Sequence, residues 1–348
     1  MKTIQRTIIF ILIGVVLCLC MACGKSVPGN NAEKPGPGNE NGNQSGENME
    51  TEIKSILLQT KFEYGFSIAY MSSKNWIDYN GAVDYTLSKW GINEEGSADT
   101  FNADTEYTEE DGFKVFASPN KSKIFKVNND TGAFYMEVNA SVDYGTRPRE
   151  DGESWPHLLI TQNYNLNEIP NLDKMQSLRM KINFDFLKFE DKMNGAANSN
   201  YHAAQFQWYV AIKNVNPDSP DYGDWFWLGL QFFDNRYIWC PKNLLVDGGK
   251  DTATGKAIYT LDMRDVMNRK VVEAGESYNV DYDILPDISK ALAELKNFQE
   301  MDTLRRTELS DLQIFHTNIG WEMPGTYDAA VKVNSWDFNY TLNKSTQN

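Results

Sequence analysis

From Leu178 to Phe186 the chain runs Leu-Arg-Met-Lys-Ile-Asn-Phe-Asp-Phe, apolar at every even position and polar or charged at every odd one. Only an extended strand sends alternate side chains to opposite faces, so this stretch predicts a strand with one face buried and the other solvated. A slip of one residue would turn the whole apolar set outward, which makes the pattern a strong constraint on register. Similar strands are predicted at Lys123–Val127, at Phe134–Val138 after the turn Asn129-Asp130-Thr131-Gly132, at Gln205–Ile212, at Trp225–Phe233 and at Lys332–Leu342. One segment departs from period two. Leu285–Glu300 places Ile288, Leu292, Leu295 and Gln299 on one side, with Pro286 near its start, and predicts one amphipathic helix over 285–300. With 41% hydrophobic and 13% aromatic residues the chain can build a sizeable core. The expected fold is all-β, a jelly-roll β-sandwich with a single helix.

Ahead of these strands stand two segments of different character. Lys2 and Arg6 precede a nearly unbroken apolar run from Ile8 to Leu19, too short for a full membrane span and suited to an export signal. The run ends in Leu19-Cys20-Met21-Ala22-Cys23-Gly24, which resembles the lipobox of bacterial lipoproteins, although Cys20 stands where that family usually has Leu. The resemblance implies that residues 1–22 are a signal peptide and that Cys23 is the lipidated first residue of the mature chain. Pro, Gly and Asn then dominate 23–50, a composition that predicts a flexible tether. Such a tether after a lipidated cysteine is similar to those of Bacteroidota surface lipoproteins. It implies an outer-membrane or cell-surface location and membrane contact through the lipid anchor only. Residues 51–348 are expected to form one β-sandwich domain. Of the four cysteines, Cys240 alone falls inside that domain, flanked by Trp239 and Pro241, and reads as a small buried residue.

The strand faces point to a ligand. In Gln205–Ile212, Phe206, Trp208, Val210 and Ile212 share one side, while Gln205, Gln207 and Tyr209 share the other. In Trp225–Phe233, Phe226, Leu228, Leu230 and Phe232 form the apolar set; Trp225, Trp227 and Gln231 lie opposite, with Gly229 between them. Flat aromatic rings mixed with amides suit sugars, whose C–H faces stack on rings and whose hydroxyls bond to amides. Gln205, Gln207, Tyr209, Trp225, Trp227 and Gln231 are therefore the candidate carbohydrate-binding residues. Packing of the two tryptophans under loops is the plain alternative.

Three further stretches stand out: Trp155-Pro156-His157-Leu158-Leu159, Phe233-Asp234-Asn235-Arg236, and Gly320 to Asp328. With the strand Gln205–Ile212 and the turn Asp247-Gly248-Gly249-Lys250 they resemble a group of exported bacterial proteins with a lectin- or glucanase-like, concanavalin A-like jelly roll. The resemblance spans most of residues 120–342 and implies a fold and a glycan context. Read physically, Asp234 and Arg236 pair across a strand end and Glu322 caps a loop.

A net charge of −15 argues against nucleic acid as a partner and leaves extracellular polysaccharide or oligosaccharide as the expected one. Carbohydrate binding is the first functional expectation, and a polysaccharide-degrading enzyme the second, lyase before glycoside hydrolase. A structural or adhesive lipoprotein is the third. A lyase needs a base and a charge-neutralising partner, and His202, Tyr209 and Arg236 supply those types. No run of the form Glu-x-Asp-x-x-Glu is present to supply a hydrolytic pair on one strand. No cofactor is required by this reading. Ca²⁺ has Asp218, Asp221 and Asp224 as candidate ligands, with a solvated acidic turn as the alternative. If Cys23 carries lipid, Cys23→Ser is expected to move the protein from the membrane fraction to a soluble or unprocessed form. Equal membrane retention of the mutant after fractionation would refute the anchor.

Overall fold

The structure is a computed structural model that describes residues 52–68, 76–77, 88–94, 96–101, 105–248 and 253–343. The expected signal peptide, Cys23 and the tether lie outside the described residues, as do Gly249 and Lys250 of the 247–250 turn. The strands are β1 Ile53–Ser55, β2 Phe66–Ile68, β3 Trp76–Ile77, β4 Gly91–Asn93, β5 Tyr107–Glu110, β6 Phe113–Ala117, β7 Lys123–Val127, β8 Phe134–Asn139 and β9 His157–Asn163. They continue as β10 Met175–Asp191, β11 Gln205–Asn214, β12 Trp225–Asp234, β13 Asn243–Val246, β14 Ala257–Thr260, β15 Glu276–Asp283, β16 Leu312–Glu322 and β17 Tyr327–Leu342. Three α-helices are described: the single turns α1 Ser141–Tyr144 and α2 Met263–Val266, and the longer α3 Leu285–Leu295.

The strands form two sheets. The first runs β15-β10-β17-β8-β7-β6-β5, with β1 also paired to β17; the second runs β13-β14-β12-β11-β16-β9-β4-β2-β3. Pairing is antiparallel except between β12 and β14 and between β2 and β4. The sheets pack face to face as a jelly-roll β-sandwich. Period two explains the packing: Leu178, Met180, Ile182, Phe184 and Phe186 of β10 are all buried. The Phe184 ring meets Phe206 and Phe232 of the opposite sheet at 5.3 and 5.4 Å. Trp208 of β11 meets Trp336 of β17 at 5.2 Å, and its indole N–H donates to Thr317 Oγ1 at 2.8 Å, so a fully buried ring keeps its one polar atom satisfied.

Three local differences from the sequence reading have physical causes. Lys123 begins β7 on the core-facing side and is fully buried, with Nζ 3.0 Å from the Asp99 carbonyl and 3.7 Å from Glu94 Oε2. Burial raises the Glu94 carboxyl's pKa, against the pull of the Lys123 charge, and lowers that of Lys123. The helix ends at Leu295, where the Asn297 side chain takes the Ala293 carbonyl, so Gln299 lies beyond it and is exposed. Ile288, Ala291, Leu292 and Leu295 make its buried side. Finally, β16 escapes a period-two reading because Ala211 pairs with His316 and Ile212 with Ile314, leaving Phe315 as a bulge. Buried apolar residues sit at even positions before it (Leu312, Ile314) and at odd positions after it (Ile319, Trp321).

Trp208→Ala should cost about 3–5 kcal/mol, since it empties a fully buried ring site and removes the indole donor to Thr317 Oγ1. A denaturant midpoint that barely moves would show that the inter-sheet contact is not the main source of stability.

Candidate functional site

The outer face of the second sheet carries a groove of about 650 Å³. It is assembled from rungs of residues that face each other across neighbouring strands. One rung joins His157, Glu322, Gln205 and Asp234. The next joins Leu159, Gly320 and Gln207. A third runs Thr161, Asn318, Tyr209, Gly229, Thr260 and Asn243, and a fourth runs Asn163, His316, Ala211, Trp227, Ile258 and Leu245. The groove thus has a polar end near Glu322 and an aromatic end near Trp227.

All six residues expected from the strand faces (Gln205, Gln207, Tyr209, Trp225, Trp227 and Gln231) line this groove. Burial of the opposite faces puts them there: Phe206, Trp208, Val210 and Ile212 on β11, and Phe226, Leu228 and Leu230 on β12, are fully buried. Trp225 and Trp227 are half-buried and meet edge to face at 5.2 Å. Trp227 also meets His316 at 5.5 Å, and Trp225 meets Phe315 at 5.4 Å. Tyr209 lies flat over Gly229, where a Cβ would stand 1.9 Å from its ring. Its hydroxyl is 3.0 Å from Thr260 Oγ1, and burial pushes its pKa up, so it stays protonated. Gln207 is almost wholly buried, and its side chain makes no hydrogen bond among the described residues. Asn93 and Asn318, which also line the groove, each leave Oδ1 without a partner.

At the polar end the buried Asp234 accepts from Arg236 Nε at 2.8 Å and Nη2 at 2.6 Å, the pairing expected from the sequence. Glu322 faces the groove, with Oε2 3.7 Å from His157 Nε2. His316 has Nδ1 2.8 Å from Asn163 Oδ1, and burial among the aromatic rings brings its pKa down to about 4.

The structure does not bring the lyase set together. His202 is buried outside the groove, with Nδ1 accepting from the Asn198 amide at 2.9 Å and Nε2 2.8 Å from the Arg149 carbonyl. Its ring ties two loops and has no nitrogen left for a substrate proton. Tyr209 is held neutral, and Arg236 is engaged by Asp234. The calcium set is likewise dispersed. Asp221 accepts from the Arg306 backbone N–H at 2.6 Å and Nη2 at 2.8 Å, Asp224 faces Lys256 at 3.9 Å, and Asp218 is exposed. Among the described residues no cluster of three His, Cys, Asp or Glu side chains is placed to hold a metal ion. Cys240 is buried and its thiol is pushed up by that burial. Sequence reasoning missed His157, Phe315, His316, Asn318 and Glu322. Those on β16 became unreadable when the bulge switched the strand's parity; His157 and Glu322 sit inside the conspicuous stretches, whose strand positions were not recognised.

A scan against protein-family models gives no match, and a search of curated proteins gives none. Solved structures of similar strand arrangement include a family 12 xyloglucanase from Bacillus licheniformis in complex with ligand, with TM-score 0.36 and 11% identity over 72% of this chain and 99% of that one. Endoglucanase Cel12A from Rhodothermus marinus gives TM-score 0.34 at 10% identity, covering 73% of this chain and 98% of that one. Endoglucanase 3 from Trichoderma harzianum gives 0.33 at 12% identity, with 73% and 98% covered.

His316 makes a pH-dependent contribution. The fold holds it at about 4 while an unfolded chain holds histidine at about 6.5, so the unfolded form takes up the proton first as pH falls. This contribution is fully present above about pH 6.5 and is lost as pH falls toward 4. The loss of stability between pH 7 and pH 4.5 should be smaller in His316→Gln than in the wild type, and equal losses would place the imidazole in solvent.

Proposed function

We propose that this is a lipid-anchored, surface-exposed protein whose groove binds a segment of extracellular polysaccharide. The observation that carries the reading is the groove itself, where Trp225, Trp227 and Tyr209 share one face with Gln205, Gln207 and Gln231. Rings offer stacking surfaces for sugar C–H faces, and amides offer both a donor and an acceptor to hydroxyls. Its lining residues come from seven neighbouring strands, β13 through β4, and at about 4.8 Å per strand that reaches roughly 30 Å, longer than any one sugar ring. A chain of sugars fits that shape better than a single ring. A tether of the length of 23–50 would let such a groove reach polymer outside the cell.

A degrading enzyme is the second reading, favoured by the Glu322 carboxylate beside His157 at the polar end. One set of samples separates the two. In affinity electrophoresis against a polysaccharide panel, Trp227→Ala should lose about 1–3 kcal/mol of binding, by analogy with other aromatic stacking platforms. Its thermal melt should stay close to the wild type because Phe226 and Leu228, on the other side of the strand, remain buried. Retention unchanged by the mutation would count against the groove. Reducing ends that appear with the wild type and vanish in Glu322→Gln would replace binding with cleavage of the polymer.

A further inference from the structure

The turn that follows β12 sets an exposed aromatic ring at the polar end of the groove. Tyr237 lies just past Asp234, the last residue of β12, and its backbone N–H donates to the Asp234 carbonyl at 3.0 Å. Asn235 pins the turn from two sides. Its Oδ1 accepts from the Ala204 N–H at 2.6 Å, just ahead of β11, and its Nδ2 donates to the Tyr327 hydroxyl at 2.9 Å. Arg236 completes the clamp: the buried Asp234 holds its Nε and Nη2, while the guanidinium carbon stands 5.5 Å from the centre of the Tyr237 ring. A cation over a ring face attracts it, so the ring is held in turn by a buried carboxylate. Tyr237 is nonetheless 48% exposed, and it lines the groove. A ring half in water adds little to a core, whereas a pinned turn lowers the cost of using that ring to bind. Trp227 stands seven residues before Asp234 on β12. At the rise of a strand, roughly 20 Å separates the tryptophan pair from this turn.

We propose that Tyr237 is a second stacking platform of the groove, separate from Trp225 and Trp227, and that the ligand is a glycan chain long enough to lie on both. The ligand class rests on the glycan reading above, whereas the exposure and clamping of the ring do not. One face of Tyr237 meets the Arg236 guanidinium, which leaves the other for the C–H face of a sugar. Asp234 takes only Nε and Nη2 of Arg236, so the Nη1 N–H groups remain to donate to a hydroxyl of that sugar. No single sugar ring covers the distance between the two platforms. Short chains settle on the paired tryptophans, which offer more ring area, and only longer ones reach Tyr237 as well. The groove thus sorts chains by length. Period two gives no sign of this residue, because it stands in a turn and not on a strand face.

The test has two arms. In the first, wild type, Tyr237→Ala and Tyr237→Phe are run in affinity electrophoresis against a β-glucan, a galactan and a mannan. The polymer that retards the wild type is then competed with its own oligosaccharides, from disaccharide to octasaccharide. Tyr237→Ala should weaken competition by the octasaccharide about tenfold and leave that by the disaccharide unchanged, while Tyr237→Phe, which keeps the ring, keeps the wild-type pattern. The alanine variant should melt with the wild type, because the ring it removes is exposed. In the second arm, tetranitromethane nitrates the accessible tyrosines of the wild type, and peptide mass spectrometry reads each site. The octasaccharide should shield Tyr237 but not Tyr222, which is 61% exposed and does not line the groove. Equal nitration of Tyr237 with and without bound octasaccharide overturns the platform and leaves the groove reading in place. Equal weakening of disaccharide and octasaccharide in Tyr237→Ala overturns the separation into two platforms. No retardation by any polymer overturns the glycan reading, and with it the ligand named here.

Discussion

The burial of one face of β11 and β12 against the opposite sheet is the contact on which the rest depends. Phe206, Trp208, Val210 and Ile212, with Phe226, Leu228 and Leu230, leave no solvent on that side. Their rings interlock with Phe184 and Trp336 of β10 and β17. Because side chains alternate, that apolar contact decides the outward set as firmly as the inward one. The groove residues are thus held in place by a hydrophobic contact on the far side of their own backbone. An adjacent strand cannot slip without exposing a tryptophan and several phenylalanines to water, at a cost of a few kcal/mol for each large side chain.

Charge buried in this protein is organised rather than merely tolerated. Removing a carboxylate from water is expensive unless hydrogen bonds replace its hydration. Asp234 receives five such bonds, from two glutamines and one arginine. Lys123, at the start of β7 in the first sheet, finds Glu94 and the Asp99 carbonyl. The two arrangements differ in what they leave over. Around Lys123 the buried donors and acceptors face mainly one another, consistent with a structural fastening. Around Asp234 the two glutamines that donate to it also line the groove. The same desolvation cost therefore supports packing in one place and the lining of the groove in the other.

The groove also shows how strictly backbone shape sets the available space. Gly229 has no side chain, and the Tyr209 ring occupies the space that a Cβ would take. Gly320, at φ +147°, lies where a Cβ would be 2.1 Å from the Leu158 carbonyl oxygen. Asn318 and Gln207, beside these glycines, line the groove, and the Asn318 Oδ1 is buried without a hydrogen-bond partner. His316 is kept neutral by burial among the rings around it, so this imidazole carries no charge near neutral pH.

Much of this was legible in the amino-acid sequence. Alternation in 178–186, 205–212 and 225–233 specifies strands, names their buried faces and, by elimination, the six residues that line the groove, because period two is a local property of the chain. The class of fold follows from the number of such strands and the turns between them. The partners across the sheet are not local. That β16 lies between β9 and β11, bringing His157, Asn318 and Glu322 beside Gln205 and Tyr209, depends on contacts more than a hundred residues apart and on a bulge that hides the strand's periodicity. The dispersal of His202 from Tyr209 and Arg236, and the capture of Asp221 by Arg306, are equally non-local. Sequence alone determined which side chains a strand would offer. Only the tertiary structure decided which of them meet, because hydrogen bonds such as those to Asp234 form between strands that a turn or a long excursion of chain has brought together.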